Sequence, residues 1–156
     1  MNKLSSKDWL YSKRTVRFGE TDGAGVMHFV QLLKWCHETW EESLEKFGIS
    51  LGDIFPSINN KLTHPETSLP IVHCEAKYFE PFYIGDNINI ELFPEEVNSF
   101  SFILRFKFKK NSQDIAMASI KHISINTTSR KRCPFSKEIS LWLQESTSNF
   151  QEDKRI

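Results

Sequence analysis

Phe100, Phe102, Leu104, Phe106 and Phe108 alternate with Ser101, Ile103, Arg105, Lys107 and Lys109. Side chains alternate across a β-strand, so this stretch predicts a strand with one strongly apolar face. Such a face needs a second layer to cover it. The chain supplies one, because Phe29, Leu32, Leu33, Cys36, Trp40, Leu44 and Phe47 recur at helical spacing, with no Pro or Gly until Gly48. They predict a helix over 28–47, roughly 30 Å long at 1.5 Å per residue, stopped by Gly48. Its opposite face carries Lys34, Glu38, Glu41, Glu42 and Glu45.

The remaining elements follow from turn formers and alternation. Lys13–Phe18 reads as a strand, and the turn-rich Gly19–Gly25 leads into the helix. Residues 51–70 hold Pro56, Pro65 and Pro70 and read as an irregular connection, with a helical turn near Leu51–Phe55. A connection this long commonly forms a lid or pocket wall. Strands are predicted at Ile71–Phe79, Asn87–Phe93 and Ile115–Ile125, with turns at Pro81–Asp86 and Asn111–Gln113. Ser136–Gln144 reads as a closing helix with Ser136 as its cap. The order is strand, long helix, four strands. Short turns imply antiparallel neighbours, with the helix across one sheet face, an α+β layer. The other face still holds apolar residues and the sheet has edges, so a partner subunit is expected.

Composition narrows the function. The 156 residues suit a single domain spanning 1–156. Lys plus Arg is 20 and Asp plus Glu is 20, which leaves no positive surplus for a nucleic-acid partner. No apolar run is long enough for a membrane-spanning helix, and Met1–Leu10 has no secretory h-region. Cys36, Cys74 and Cys133 form no CxxC pair, which argues against a disulfide framework or zinc site and points to a reducing cytoplasm. The histidine spacings match no metal template either. The 13 Phe and 4 Trp predict an aromatic core or pocket.

Chemistry concentrates in Arg17-Phe-Gly-Glu-Thr-Asp-Gly-Ala-Gly-Val-Met-His-Phe29. Glu20 and Asp22 stand in a glycine-rich turn directly before the helix. A helix N-terminus presents unpaired N–H groups that can hold an oxyanion. A carboxylate beside it can act as nucleophile or as base for water. A thioester suits this apparatus, since a thiol of pKa about 8.5 leaves with little acid assistance. Taken alone, Asp before Gly at a strand–helix junction is more often only a turn former or helix cap.

These residues resemble the signature loop of the hotdog-fold acyl-CoA thioesterases of the 4-hydroxybenzoyl-CoA thioesterase type. Ala76-Lys-Tyr-Phe-Glu-Pro-Phe-Tyr-Ile-Gly-Asp86 resembles the family's second-strand pattern, and Arg130-Lys-Arg-Cys-Pro-Phe135 is a weaker match. The likeness runs from about residue 11 to 145. It implies a hotdog fold, an antiparallel sheet wrapped around a long central helix, and hydrolysis of an acyl-CoA substrate without a cofactor. By this resemblance Asp22 is the catalytic carboxylate, Gly25 turns the chain into the helix, and the Phe29 backbone N–H holds the thioester oxygen. Glu20 takes the place of the first Asp of the family's pair. His28 falls among the substrate contacts, where many relatives have an aromatic pair. Arg130, Lys131 and Arg132 match basic residues that touch the nucleotide end of coenzyme A, though a solvated charge cluster accounts for them equally. Within the family, the loop, the Trp35-Cys-His-Glu38 run and the basic tail are most similar to the group acting on 1,4-dihydroxy-2-naphthoyl-CoA in phylloquinone biosynthesis. The apolar sheet face and the open edges predict a homotetramer built from dimers, with each active site between two subunits.

Three alternatives remain open at this level. Glu38, Glu41 or Glu42 would carry the chemistry if the carboxylate sat mid-helix. A His paired with a carboxylate would favour dehydration of an acyl thioester, and His28 is the histidine nearest the loop. A non-catalytic acyl-CoA-binding module would share the same shape. Cys36 lies on the apolar stripe and reads as core.

Overall fold

The computed structural model describes residues 8–56 and 65–152, with 148–152 described by their backbone alone. Five strands form one antiparallel sheet: β1 (Tyr11–Thr15), β2 (Ile71–Tyr78), β3 (Asn87–Glu95), β4 (Ser101–Lys110) and β5 (Gln113–Ile123). The long helix α1 is Phe29–Phe47 and the closing helix α2 is Lys137–Glu152. The connection expected over 51–70 is described at its two ends, as a helical turn at Leu51–Ile54 and a short strand at Thr67–Ser68. Its residues 57–64 lie outside the described residues.

α1 begins and ends where its caps dictate. His28 is the extended N-cap, its Nδ1 accepting the Val30 N–H at 3.3 Å. Gly48 closes the helix at φ +100°, a conformation that glycine adopts without strain. Leu32, Trp35, Cys36, Trp40 and Leu44 are buried against Ile88, Ile90, Leu92, Phe102, Leu104, Phe106 and Phe108 of the sheet. The α+β layering expected from the two periodicities is therefore present. Phe29 departs from the stripe and is 67% exposed. α2 runs past the expected Gln144 and seals the far side, where Trp142 Nε1–H donates to Ser43 Oγ at 3.1 Å.

The strand order corrects the expectation that successive strands pair. It is β1-β3-β4-β5-β2, so β2 and β3 occupy separate places although only a short segment joins them. The cause is visible in the Pro81–Asp86 turn, which belongs to β1's end rather than to a hairpin. Val16 N–H donates to Asp86 O at 3.0 Å, and Gly85 N–H donates to Val16 O at 2.8 Å. This also ends the opening strand at Thr15 rather than Phe18. At the other end, β5 stops at Ile123, and Ile125–Asn126 pairs with Thr67–Ser68.

The outer sheet face carries a charged ladder, with Lys109–Glu91 at 2.7 Å and Arg105–Glu95 at 2.5 Å. Phe93, Ile103 and Met117 stand on the same face among these charges, so it keeps apolar residues as expected. Exposed apolar residues also gather on β2 and the segment after it: Ile71, Val72, Tyr78, Phe79, Tyr83 and Ile84. Among the described residues β2 pairs only with β5, which leaves one of its sides an open edge. Among the described residues no helix is long and apolar enough to cross a membrane.

One buried polar group has a pH signature. His122 is 1% exposed, and its Nδ1 meets Leu69 O at 2.8 Å, so that nitrogen carries the proton. Nε2 has no partner among the described residues. Burial pushes the ring's pKa down to about 4, and neighbouring His37 lowers it further against the Leu69 bond, which raises it. The unfolded ring binds a proton near 6.5, so between about 6.5 and 4 the unfolded state takes up the proton first. Stability is therefore expected to fall as pH drops through that window, by about 3 kcal/mol at most. Urea unfolding of His122→Asn, compared with wild type at pH 7.5 and 4.5, should show a lower starting stability and a flatter decline.

Candidate active site

The loop between β1 and α1 is closed by its own backbone. Asp22 N–H donates to Val26 O at 2.9 Å and Gly25 N–H to Asp22 O at 3.0 Å. Asp22 Oδ1 accepts the Ala24 N–H at 2.8 Å, which leaves Oδ2 without a donor among the described residues. Gly25 sits at φ +77°, and a Cβ there would meet nothing within 4 Å. Its requirement is thus purely one of backbone conformation. Thr21 and Met27 bridge across the loop, and Met27 N–H donates to Phe82 O at 2.8 Å.

Glu20 ties this loop to the helix. Its Oε1 accepts from Trp35 Nε1–H at 3.0 Å and from Gln31 Nε2–H at 3.1 Å. Its Oε2 accepts the Arg17 N–H at 2.8 Å, and its backbone oxygen accepts the His28 N–H at 2.8 Å. With both oxygens engaged, Glu20 is a positioning group, and Asp22 is the carboxylate with capacity to spare.

In the first turn of α1, His28 caps Val30, and Gln31 N–H returns to His28 O at 2.9 Å. The Phe29 amide has no partner among the described residues. Tyr78 Oη–H donates to Phe29 O at 2.5 Å, pinning this turn to the end of β2. Burial pushes the Tyr78 phenol above its ordinary pKa, with Cys36 adding to the rise. The phenol therefore keeps its donor proton at neutral pH.

A cavity of about 390 Å³ opens here, lined by Asp22, Val26, Met27, Phe29, Tyr78, Phe79, Glu80, Pro81 and Phe82. The structure thus brings Asp22 and Phe29 together at one aromatic hollow, while Gly25 does not line it and acts through the turn between them. His28 does not line it; its ring stacks on Phe29 with centroids 4.6 Å apart while it caps the helix. Arg130, Lys131 and Arg132 do not line it either. They are exposed on the turn after Ile125–Asn126, where Arg130 N–H donates to Asn126 O at 2.9 Å. That turn packs at the Ile71 end of β2, whereas the cavity is at the Tyr78 end. Tyr78, Phe79, Glu80 and Phe82 were not singled out from sequence, although they lie inside the run Ala76–Asp86.

The rival groups are engaged elsewhere. Glu38 pairs with Lys34, Glu41 with His37 and Glu42 with Arg14. None of them lines the cavity. Cys36 is fully buried, and burial holds its thiol well above the usual range, so it stays protonated.

Comparison with known proteins gives this geometry a family. The description "Thioesterase-like superfamily" matches residues 16–143. The chain belongs to that superfamily. A 1,4-dihydroxy-2-naphthoyl-CoA hydrolase from Prochlorococcus marinus (strain NATL2A) is 59% identical over 150 residues, which cover 96% of this chain and 97% of the relative. A crystal structure from Prochlorococcus marinus MIT 9313, provisionally described as a thioesterase, superposes with a TM-score of 0.88 at 46% identity, covering 92% and 99% of the two chains. A 1,4-dihydroxy-2-naphthoyl-CoA thioesterase from Synechocystis superposes with a TM-score of 0.76 at 28% identity, covering 86% and 95%. The element order and sheet are thus those of a hotdog thioesterase, as the loop motif implied.

Glu20→Ala in this thioesterase-like chain leaves the Trp35 indole N–H without its acceptor. It is expected to lower stability by about 1–3 kcal/mol and to slow turnover through the loosened loop. Chemical denaturation alongside an activity assay checks both.

Proposed function

We propose that the chain hydrolyses an aromatic acyl-CoA thioester, with 1,4-dihydroxy-2-naphthoyl-CoA of phylloquinone biosynthesis as its substrate. The observation that carries this is the meeting of the Asp22 carboxylate and the unpaired Phe29 amide at one aromatic-walled cavity. The Phe29 N–H, at the positive end of α1, holds the thioester oxygen as charge builds on it. Asp22 either attacks the carbonyl carbon or takes a proton from an attacking water. The C–S bond breaks, the thiolate of coenzyme A leaves, and water supplies the acid's new oxygen. No cofactor is needed for these steps. The dehydratase alternative is less supported: the His–carboxylate pairs among the described residues, His37–Glu41 at 2.6 Å on the middle of α1 and His73–Glu75 at 4.0 Å on β2, both lie outside the cavity.

Arg130, Lys131 and Arg132 are suited to the phosphates of coenzyme A. Within one chain they stand near the Ile71 end of β2 and Asp22 near its Tyr78 end, and the strand between these ends is about 23 Å long at about 3.3 Å per residue step. Two-fold pairing of two copies along the open β2 edge would set the Ile71 end of one against the Tyr78 end of the other. The basic turn of one subunit would then lie beside the cavity of its neighbour. We therefore extend the proposal to a homotetramer built from such dimers, working in the cytoplasm.

Asp22→Asn is expected to keep fold and ligand binding while cutting turnover by orders of magnitude, read as free thiol released from a panel of aromatic and aliphatic acyl-CoAs. Wild-type rates in the variant would remove Asp22 from the mechanism. Light scattering at micromolar concentration is expected to give a mass of four chains, and a monomer would refute the shared site.

A further inference from the structure

β2 loses its alternation just where it meets the cavity. The N–H groups of Phe79 and Glu80 both donate to Ile115 O, at 2.9 and 3.2 Å. Two successive residues thus oppose one on β5, the geometry of a bulge, and bulges re-aim side chains. In a regular strand Phe79 and Glu80 would point to opposite faces. Here Tyr78, Phe79 and Glu80 all line the same hollow. Glu80 brings in a second carboxylate that the hydrolysis does not require. Gln113 Nε2–H donates to its Oε1 at 2.8 Å, which fixes the side chain, and Oε2 has no donor among the described residues. The other lining residues are aromatic or aliphatic apart from Asp22, and none of them is cationic.

We propose that Glu80 is a specificity-determining residue whose free carboxylate oxygen accepts a hydrogen bond from a hydroxyl on the aromatic acyl ring. This rests on the reading of the cavity as an acyl pocket. Phe29, Phe79 and Phe82 supply flat apolar walls for a ring. Glu80 supplies an acceptor at the rim, and a carboxylate accepts from a phenolic O–H more strongly than a neutral group does. A site built to bind a substrate hydroxyl discriminates against the analogue lacking it, because its polar group is left unpaired. The same carboxylate repels acyl groups that carry their own negative charge.

The test compares kcat/KM for matched pairs: 4-hydroxybenzoyl-CoA against benzoyl-CoA, and 1-hydroxy-2-naphthoyl-CoA against 2-naphthoyl-CoA. The hydroxyl changes the intrinsic reactivity of the thioester, so the readout is the ratio within each pair, in wild type relative to Glu80→Ala. A purely structural effect of the substitution acts on both members and cancels. The hydroxylated member's advantage is expected to drop about tenfold or more in Glu80→Ala, the lower end for a hydrogen bond to a charged group. Glu80→Gln, which keeps a neutral acceptor, should retain part of it. An unchanged ratio in Glu80→Ala, while wild type turns over the aryl thioesters, overturns the role of Glu80 and leaves the hydrolase reading standing. Wild type turning over no member of the panel overturns both.

Discussion

Burial of α1 against a single sheet face decides where every other part of this molecule can lie. Trp35 and Trp40 are 1% and 0% exposed and fill the space above the phenylalanines of β4. Burying aromatic side chains of this size dominates the stability of a small core. Because the helix is held along its length, its first turn is a fixed point, and the loop before it inherits that rigidity. Closing of the far side by α2, through Trp142 and Ser43, completes the cover.

The site adds a second layer of restraint to this frame. Glu20 connects the indole of Trp35, deep in the core, to the loop that carries Asp22. Tyr78 connects the same helical turn to β2. The Asp22 carboxylate and the Phe29 amide therefore belong to two segments fastened to the same anchor. Preorganisation of this kind lets an amide stabilise developing charge without first rearranging. His28 contributes by capping Val30, while the amide of Phe29 has no partner among the described residues.

Much of this was legible in the chain itself. The alternation over 100–109 and the helical stripe over 28–47 specify both layers, because burial has only two periods to satisfy. The Gly48 stop and the loop motif around Asp22 were equally plain. Strand order was not, since the bonds that fasten Gly85 and Asp86 to Val16 are long-range and leave no local mark. Phe29 resembled a core residue because spacing cannot separate a wall of the core from a wall of a pocket. The two amides on Ile115 O, which bring Glu80 to the cavity rim, depend on a register that a single strand does not reveal. The basic turn at Arg130–Arg132 was visible as charge, but its distance from Asp22 follows only from the direction of β2.

The bare side of β2 has a consequence for the life of the chain before it meets a second copy. Along these eight residues every second one turns its amide and carbonyl away from β5, and with Val72 and Phe79 exposed beside them they form a template that an extended peptide can join. Newly made chains in a crowded cell thus face a race between ordered association and clumping. The charged ladder on the outer sheet face discourages stacking of sheets but leaves this margin unguarded. Slow synthesis or low copy number would tilt that race toward clumping, and an abundant pool of sister chains would tilt it the other way.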